Sequence, residues 1–376
     1  MSTPSTSPAT PAAETARLAD LTTMHVGGPA TRLVTATSSD ELVAAVRAAD
    51  DAGEPLLVVS GGSNLVVSDD GFPGTVVLVR SEGIAVESAD YCGGAFVRVQ
   101  AGTPWDDFVA EAVRSGWAGI EALSGIPGAV GATPVQNVGA YGQEVSQTIA
   151  QVRVYDREQQ RIRTFFPVDC RFSYRHSLFK ETSHRGTGRY VVLEVAFQLE
   201  IADLSRPIAY ADLAAGLGVE QGARVPLADA REAVLEQRRR RGMVLDPADH
   251  DTWSCGSFFT NPLLRPAEHD ALVARAAALL GPDGPVPPRF PGGTDDSGAE
   301  LVKTSAAWLI DKAGFGKGYG LPGPAALSTK HTLALTNRGH ATAADVVALA
   351  REVRDGVQQA FGVTLVNEPV FVGHEL

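Results

Sequence analysis

The sequence predicts a mixed α+β protein of more than one domain, on three observations. Residues 31–80 alternate strand and helix signals, residues 95–200 carry strand signals suited to a mainly antiparallel sheet, and helical segments dominate from Pro226 onward. With 376 residues and a mass of 39.4 kDa, the chain has room for two or three domains and a core that needs no staples.

The first 15 residues or so are rich in Ser, Thr, Pro and Ala and read as a disordered tail. They lack the charged and apolar regions of a signal peptide. TRLVTAT (31–37) reads as a strand, and SSDELVAAVRAADDAG (38–53) as a helix with a Ser N-cap and a Gly stop. PLLVVS (55–60) is a short buried strand running into Gly-Gly-Ser-Asn, and TVVLVR (75–80) is another strand. AFVRVQAG (95–102) is a strand, TPWDDFVAEAVRSG (103–116) a helix, and a Gly-rich stretch fills 119–142. QVRVYD (151–156), IRTFF (162–166) and RYVVLEVAFQLE (189–200) are the remaining strands of the antiparallel region. LADAREAVLEQRRRR (227–241) is a helix, and further helices fall at 266–280, 305–313 and 342–361. The Pro/Gly-rich segment 281–298 is expected to be a surface insertion without a regular element. The chain closes on TLVNEPVFVG (364–373), a strand with a central Glu-Pro.

Composition narrows the function classes. Against 32 Lys+Arg stand 44 Asp+Glu, and the net charge of -12 argues against a general binder of nucleic acid or anionic membrane. One small basic pocket for a phosphorylated ligand stays possible. Cys92, Cys170 and Cys255 are odd in number, widely spaced and form no CxxC pair, so a reduced cytoplasm is the simplest setting. No stretch approaches the roughly 18 apolar residues of a membrane span. The eight histidines lack ligand spacing, and no metal site is expected.

Several motifs are ambiguous one at a time. The strand running into Gly-Gly-Ser-Asn (58–64) could cradle a phosphate with consecutive backbone N–H groups, or be a tight turn between strands. The glycines of Gly125-Ile-Pro-Gly128-Ala-Val-Gly131 let backbone approach a ligand closely. Neither is a GxGxxG within a βαβ unit, which disfavours a Rossmann site. In 314–320, Lys317 is followed by Gly where a P-loop needs Ser or Thr. The arginine run 238–241 fits a solvated helix end and a phosphate contact about equally. Three clusters, 134–142, 171–180 and 254–261, hold more polar groups than a core or loop needs, and there is no GxSxG elbow.

Read in order, seven motifs resemble the UDP-N-acetylenolpyruvoylglucosamine reductase (MurB) family: HVGG, GGSNLVVSD, SGIPGAVGATPVQNVGAYG, CRFSYRHSLFK, CGSFFTNP, AAWLIDKAGFGKG and LVNEPVFVG. The likeness runs from about residue 20 to the C-terminus. It implies two FAD-binding subdomains of the vanillyl-alcohol-oxidase (PCMH) type, followed by a third, α/β domain for a UDP-sugar. The boundaries expected are a tail at 1–15, FAD subdomains at 16–85 and 86–225, a substrate domain at 226–362, and a returning strand at 363–376. It also implies reduction of UDP-N-acetylglucosamine enolpyruvate to UDP-N-acetylmuramate in peptidoglycan precursor synthesis. NADPH would be the hydride source and FAD, bound non-covalently, the carrier.

The resemblance places the FAD diphosphate near Gly61, Gly62, Ser63 and Asn64. The rest of the cofactor would lie along Gly125, Ile126, Pro127, Gly128, Gln136, Asn137, Gly139, Ala140 and Tyr141. Arg175 matches the arginine that holds the enolpyruvyl carboxylate, Glu368 the catalytic glutamate and Ser257 the proton donor. Serine is a weak acid, so that use requires a strongly basic carbanion and close positioning. Tyr210 matches the tyrosine of the long-loop class that closes over substrate, with Tyr141 and Asn261 at further binding positions. A lysine of the family appears here as Arg241, and Cys255 stands where a small residue is usual. Two rival readings are a flavin oxidase, with flavin anchored on His25 or Cys92, and a non-catalytic flavin- or UDP-sugar-binding regulator. Without helical heptads, a monomer is the default.

Overall fold

The computed structural model describes residues 16–184, 187–295 and 297–376. The tail expected at 1–15 lies outside the described residues. Three strands, Ala30–Ala36, Phe72–Val79 and Leu56–Val59, form a parallel sheet with Phe72–Val79 in the middle. That central strand is almost continuously buried, as expected of one covered on both faces. Helix Ser39–Asp51 buries Leu42, Val46 and Ala49, and begins at Ser38, whose side chain accepts the Glu41 N–H.

The second region is an antiparallel sheet in the order Arg161–Phe165, Ile149–Asp156, Tyr190–Ile201, Gly94–Gln100, Ile84–Asp90. Helix Trp105–Arg114 closes one face with Trp105, Phe108, Val109 and Ala112. The rings of Phe108 and Phe197 meet at 4.9 Å. One buried cluster runs from helix Ser39–Asp51 through this sheet, so the first two regions share a core. Strand Ile84–Asp90 was not expected: each of its residues is exposed, so it carries no apolar stripe to mark it.

The third region packs helices Pro266–Leu280, Ala306–Lys312 and Ala343–Phe361 around a separate cluster that includes Phe258 and Phe259. Segment 281–298 departs from expectation. Phe290–Thr294 is an edge strand on Glu300–Lys303, with a register shift between Pro291 and Thr294. An edge position and a bulge are where a strand tolerates Pro and Gly. Helix Leu227–Arg240 buries Ala230 and Val234 against Ala122, Ile208 and Leu213, not against the third cluster. The C-terminal segment is strand only at Val370–Val372, beyond Pro369, and pairs in parallel with Leu65–Val67. Among the described residues no helix is long and apolar enough to cross a membrane.

Asp156 is the strongest charged anchor of the antiparallel sheet. Its buried carboxylate accepts a two-point contact from Arg189, at 2.9 and 2.8 Å, and one from Arg163 at 3.2 Å. Burial pushes its pKa up, but Arg189, the Gln159 N–H and Arg163 outweigh it and hold it at about 2. A carboxylate depressed in the folded state stabilises fully above its unfolded pKa, and that stabilisation fades as pH falls toward 2. Asp156→Asn is therefore expected to destabilise by about 3 kcal/mol at neutral pH, since it takes the counter-charge from Arg163 and leaves Arg189 only the exposed Glu158. In thermal melts the gap between variant and wild type should narrow steadily below pH 4; a constant gap would assign the loss to packing.

Candidate active site

The two glycine motifs meet across the first two regions. A Cβ on Gly61 would lie 2.5 Å from the Gly128 Cα, so only hydrogen fits between the two backbones. The Ser63 hydroxyl donates to the Pro127 carbonyl at 3.0 Å and fastens one loop to the other. Gly62 has φ +58°, and a Cβ there would overlap the Leu21 carbonyl oxygen at 1.8 Å. Among the described residues, the N–H groups of Gly61, Gly62, Ser63 and Asn64 find no protein acceptor. Four adjacent free donors make a cradle for an anion. Beside it opens a cleft with an empty volume of about 950 Å³, its open mouth included, lined by Gly62, Ser63, Asn64 and Gln136 and walled by Val58, Val191 and Tyr190. A long, largely apolar slot with a diphosphate-sized donor cluster at its edge fits a dinucleotide such as FAD.

Glu368 sits where three segments converge. Its N–H donates to the Phe258 carbonyl at 2.8 Å, which brings it beside the loop that carries Ser257. Its carbonyl receives the side-chain amides of Asn64 at 3.3 Å and Gln136 at 3.4 Å. Its carboxylate oxygen lies 3.0 Å from the Arg175 Nε; side-chain exposure is only 18% and 21%, so water screens the pair poorly. The Nε–H is not aimed at that oxygen, so the contact is Coulombic rather than a formed hydrogen bond. Arg175 adopts a left-handed φ of +54°, donates from Nη2 to the Gly139 carbonyl at 2.7 Å and lies over the Tyr174 ring at 5.3 Å. Asn137 and Tyr141, in the facing loop, share that backbone conformation at φ +43° and +49°. Such strain in non-glycine residues gathers at functional sites.

The other expected residues divide into three groups. Tyr141 and Tyr210 meet edge to face at 5.8 Å, and Tyr210, just before helix Ala211–Leu217, is 51% exposed. Arg241 is tied to Asp212 of that same helix at 3.1 Å. Asn261 instead lines a groove with Tyr174 and Arg175; its N–H donates to the Tyr174 hydroxyl at 3.4 Å and its Oδ1 accepts from the Ala306 N–H. Asn137 is 1% exposed and spends its amide on Glu144, Ser173 and Ser146, which leaves only its main chain to meet a ligand. Neither His25, tilted against Trp253 with ring centroids 4.2 Å apart, nor Cys92, in an exposed turn, lines the cleft.

Two cations lie in clusters that the sequence marks without singling them out. Arg238 is half-buried, donates to the Met243 carbonyl at 2.7 Å and has a buried Nε without a partner. Burial pushes its pKa down to about 10 while Tyr141 and Asp106 oppose the shift, so it stays charged at neutral pH. The tetra-arginine run masked it, because only the helical phase separates the inward Arg238 from its neighbours. Lys180 lies under Arg175, and its signal was no more than its place in the 171–180 cluster.

Comparison with known proteins agrees with this arrangement. A family model described as "FAD binding domain" matches residues 30–164, and one described as "UDP-N-acetylenolpyruvoylglucosamine reductase, C-terminal domain" matches residues 246–372. The chain is 58% identical to the UDP-N-acetylenolpyruvoylglucosamine reductase of Thermobifida fusca, over 95% of this chain and 96% of that one. It is 59% identical to that of Streptomyces avermitilis, over 96% and 95%. The crystal structure of the Thermus caldophilus enzyme superposes with a TM-score of 0.61 at 26% identity, covering 95% of this chain and 98% of that one.

The cradle predicts the effect of one methyl group. Gly61→Ala forces the two loops apart and should hold FAD at least about tenfold more weakly, equivalent to about 1.4 kcal/mol. Gly216→Ala, in a helix where a Cβ meets only the tip of Gln237, should keep full flavin content. Flavin absorbance per mole of purified protein checks both.

Proposed function

The chain belongs to the UDP-N-acetylenolpyruvoylglucosamine reductase family of FAD-containing oxidoreductases, and we propose how its residues carry out the reaction. The substrate is UDP-N-acetylglucosamine enolpyruvate, and the product is UDP-N-acetylmuramate for peptidoglycan synthesis. Held non-covalently by the N–H groups of 61–64 and the facing 125–128 loop, FAD would supply a two-electron carrier between NADPH and the terminal vinyl carbon of the enol ether. The observation that carries the reading is the convergence of Arg175, Glu368 and the Ser257 loop beside the free N–H groups of 61–64.

Hydride addition to the vinyl carbon leaves an electron pair on the neighbouring carbon, delocalised into the carboxylate. Arg175 meets that growing charge with a planar fork that stays cationic at any working pH. Glu368, against the same guanidinium, stabilises the enol form of the intermediate. Ser257 gives its proton to the neighbouring carbon, and solvent restores the serine. Tyr141 and Tyr210 grip the UDP-sugar, Asn261 contributes a polar contact, and Arg241 exchanges Asp212 for the diphosphate. Arg238 is a second, half-buried source of positive potential near Tyr141. The setting proposed is the cytoplasm, and the working unit a monomer.

Anaerobic mixing tests the class. NADPH should bleach the flavin, and UDP-N-acetylglucosamine enolpyruvate should then restore the yellow colour; no bleaching would sink the reading. Ser257→Ala should bleach at nearly the wild-type rate and lose about 10²–10⁴-fold in re-oxidation, the usual cost of a missing general acid. Equal losses in both half-reactions would make Ser257 a binding or structural residue.

The arginines should respond differently. Arg175→Lys keeps the charge but not the fork, and should lower kcat sharply because the carboxylate charge grows in the transition state. Arg241→Lys should be tolerated and move mainly the substrate KM. Steady-state kinetics would reverse the assignment if Arg175→Lys turned over normally while Arg241→Lys did not.

A further inference from the structure

Lys180 belongs to the short helix Leu178–Glu181, capped by Ser177, whose side chain accepts the Lys180 N–H at 3.2 Å. Its ammonium reaches back out of the helix to two acceptors. One is the side-chain Oε1 of Gln136 at 3.0 Å, and the other the main-chain carbonyl of Arg175 at 3.1 Å. Both lead to Glu368. The Nε2 of the same Gln136 amide donates to the Glu368 carbonyl, and the Arg175 guanidinium faces the Glu368 carboxylate. Lys180, Gln136, Glu368 and Arg175 thus close a ring around the reacting end of the site.

Chemistry makes Lys180 the member that fixes the ring's sense. A primary amide offers an oxygen at one end and two donors at the other, and by shape alone either end could face a neighbour. An ammonium is a donor only, so it demands the Gln136 oxygen and turns the amide NH₂ toward Glu368. The same ammonium grips the carbonyl of Arg175, whose left-handed backbone needs external support to persist. Burial lowers the Lys180 pKa, and the Glu368 carboxylate opposes that shift, which places the ammonium within the electrostatic reach of the pair it organises.

We propose that Lys180 is a positioning residue for the reduction of the enol ether, holding Arg175 and, through Gln136, Glu368 at the substrate carboxylate. The inference rests on the reaction proposed above, and it concerns only the half-reaction with the UDP-sugar, because hydride transfer from NADPH requires neither Arg175 nor Glu368.

The test compares Lys180→Met and Lys180→Arg as FAD-loaded proteins in anaerobic stopped flow. Bleaching of Lys180→Met by NADPH should stay within about threefold of wild type, while re-oxidation by UDP-N-acetylglucosamine enolpyruvate slows about 10²-fold, the loss that a misplacement of about 1 Å can cause. The loss should appear in the limiting rate rather than in the substrate concentration at half-saturation. Lys180→Arg, which keeps charge and donors, should recover most of it. Equal slowing of both half-reactions, or re-oxidation of Lys180→Met at the wild-type rate, overturns the proposal. Should Lys180→Met lose FAD, Lys180→Gln replaces it: slower re-oxidation than in Lys180→Arg supports the role, and equal rates overturn it. A wild-type protein that NADPH bleaches but the enol ether cannot re-oxidise overturns the reaction reading and this role with it. A wild-type protein that completes the cycle beside an unimpaired Lys180→Met overturns this role alone.

Discussion

The C-terminal segment reaches Glu368 by bonding at once to three parts of the chain that are distant in sequence. Its N–H takes the Phe258 carbonyl, its own carbonyl takes the amides of Asn64 and Gln136, and two residues on, the Val370 N–H donates to the Asn64 carbonyl. Pro369 ends any chance of continuing the strand through Glu368, so the segment pairs with Leu65–Val67 only from Val370 onward. The glutamate is thereby left at the strand's edge, its side chain free to face Arg175. Remove this junction and the phosphate cradle, the Arg175 loop and the Ser257 loop have no common point. Every chemical role assigned to the site depends on it.

Charge is distributed to suit that junction. The chain carries a net charge of -12, yet its site gathers Arg175, Lys180 and Arg238 in buried or half-buried positions. Surface acidity sets the long-range field, whereas desolvated cations dominate at the short distances where an anion binds. His331, pushed down to about 4 by burial and then by the neighbouring Arg241 and Lys317, is neutral at physiological pH.

Much of this was legible in the sequence, and what was not has physical reasons. Strand and helix signals placed the parallel unit, the antiparallel sheet and the main helices, because apolar periodicity records which face is buried. Strand Ile84–Asp90 left no such record, since it buries nothing, and Phe290–Thr294 hid behind a Pro and two Gly that only an edge strand accepts. Taken singly, the Gly61 motif reads as a phosphate cradle or a tight turn, and the Gly128 motif as a place where backbone can approach a ligand. Their contact, with room only for hydrogen, is a tertiary fact that neither local pattern contains. Asn137 carried the right composition for a ligand contact but spends its side chain on its own loops. A substrate domain at 226–362 would include helix Leu227–Arg240, whose buried face contacts residues before that point. The family resemblance, which used the order of motifs rather than any one of them, reached the same family as the comparisons with known proteins.

Whether hydride and proton reach the enol ether between Arg175, Glu368 and Ser257 is decided by a crystal structure of the FAD-bound protein with UDP-N-acetylmuramate. The flavin diphosphate should lie on the N–H groups of 61–64, and the lactyl carboxylate on Arg175, between the flavin edge and the Ser257 hydroxyl. A product carboxylate bound away from Arg175, or a flavin diphosphate outside the cradle formed with Gly128, would contradict it.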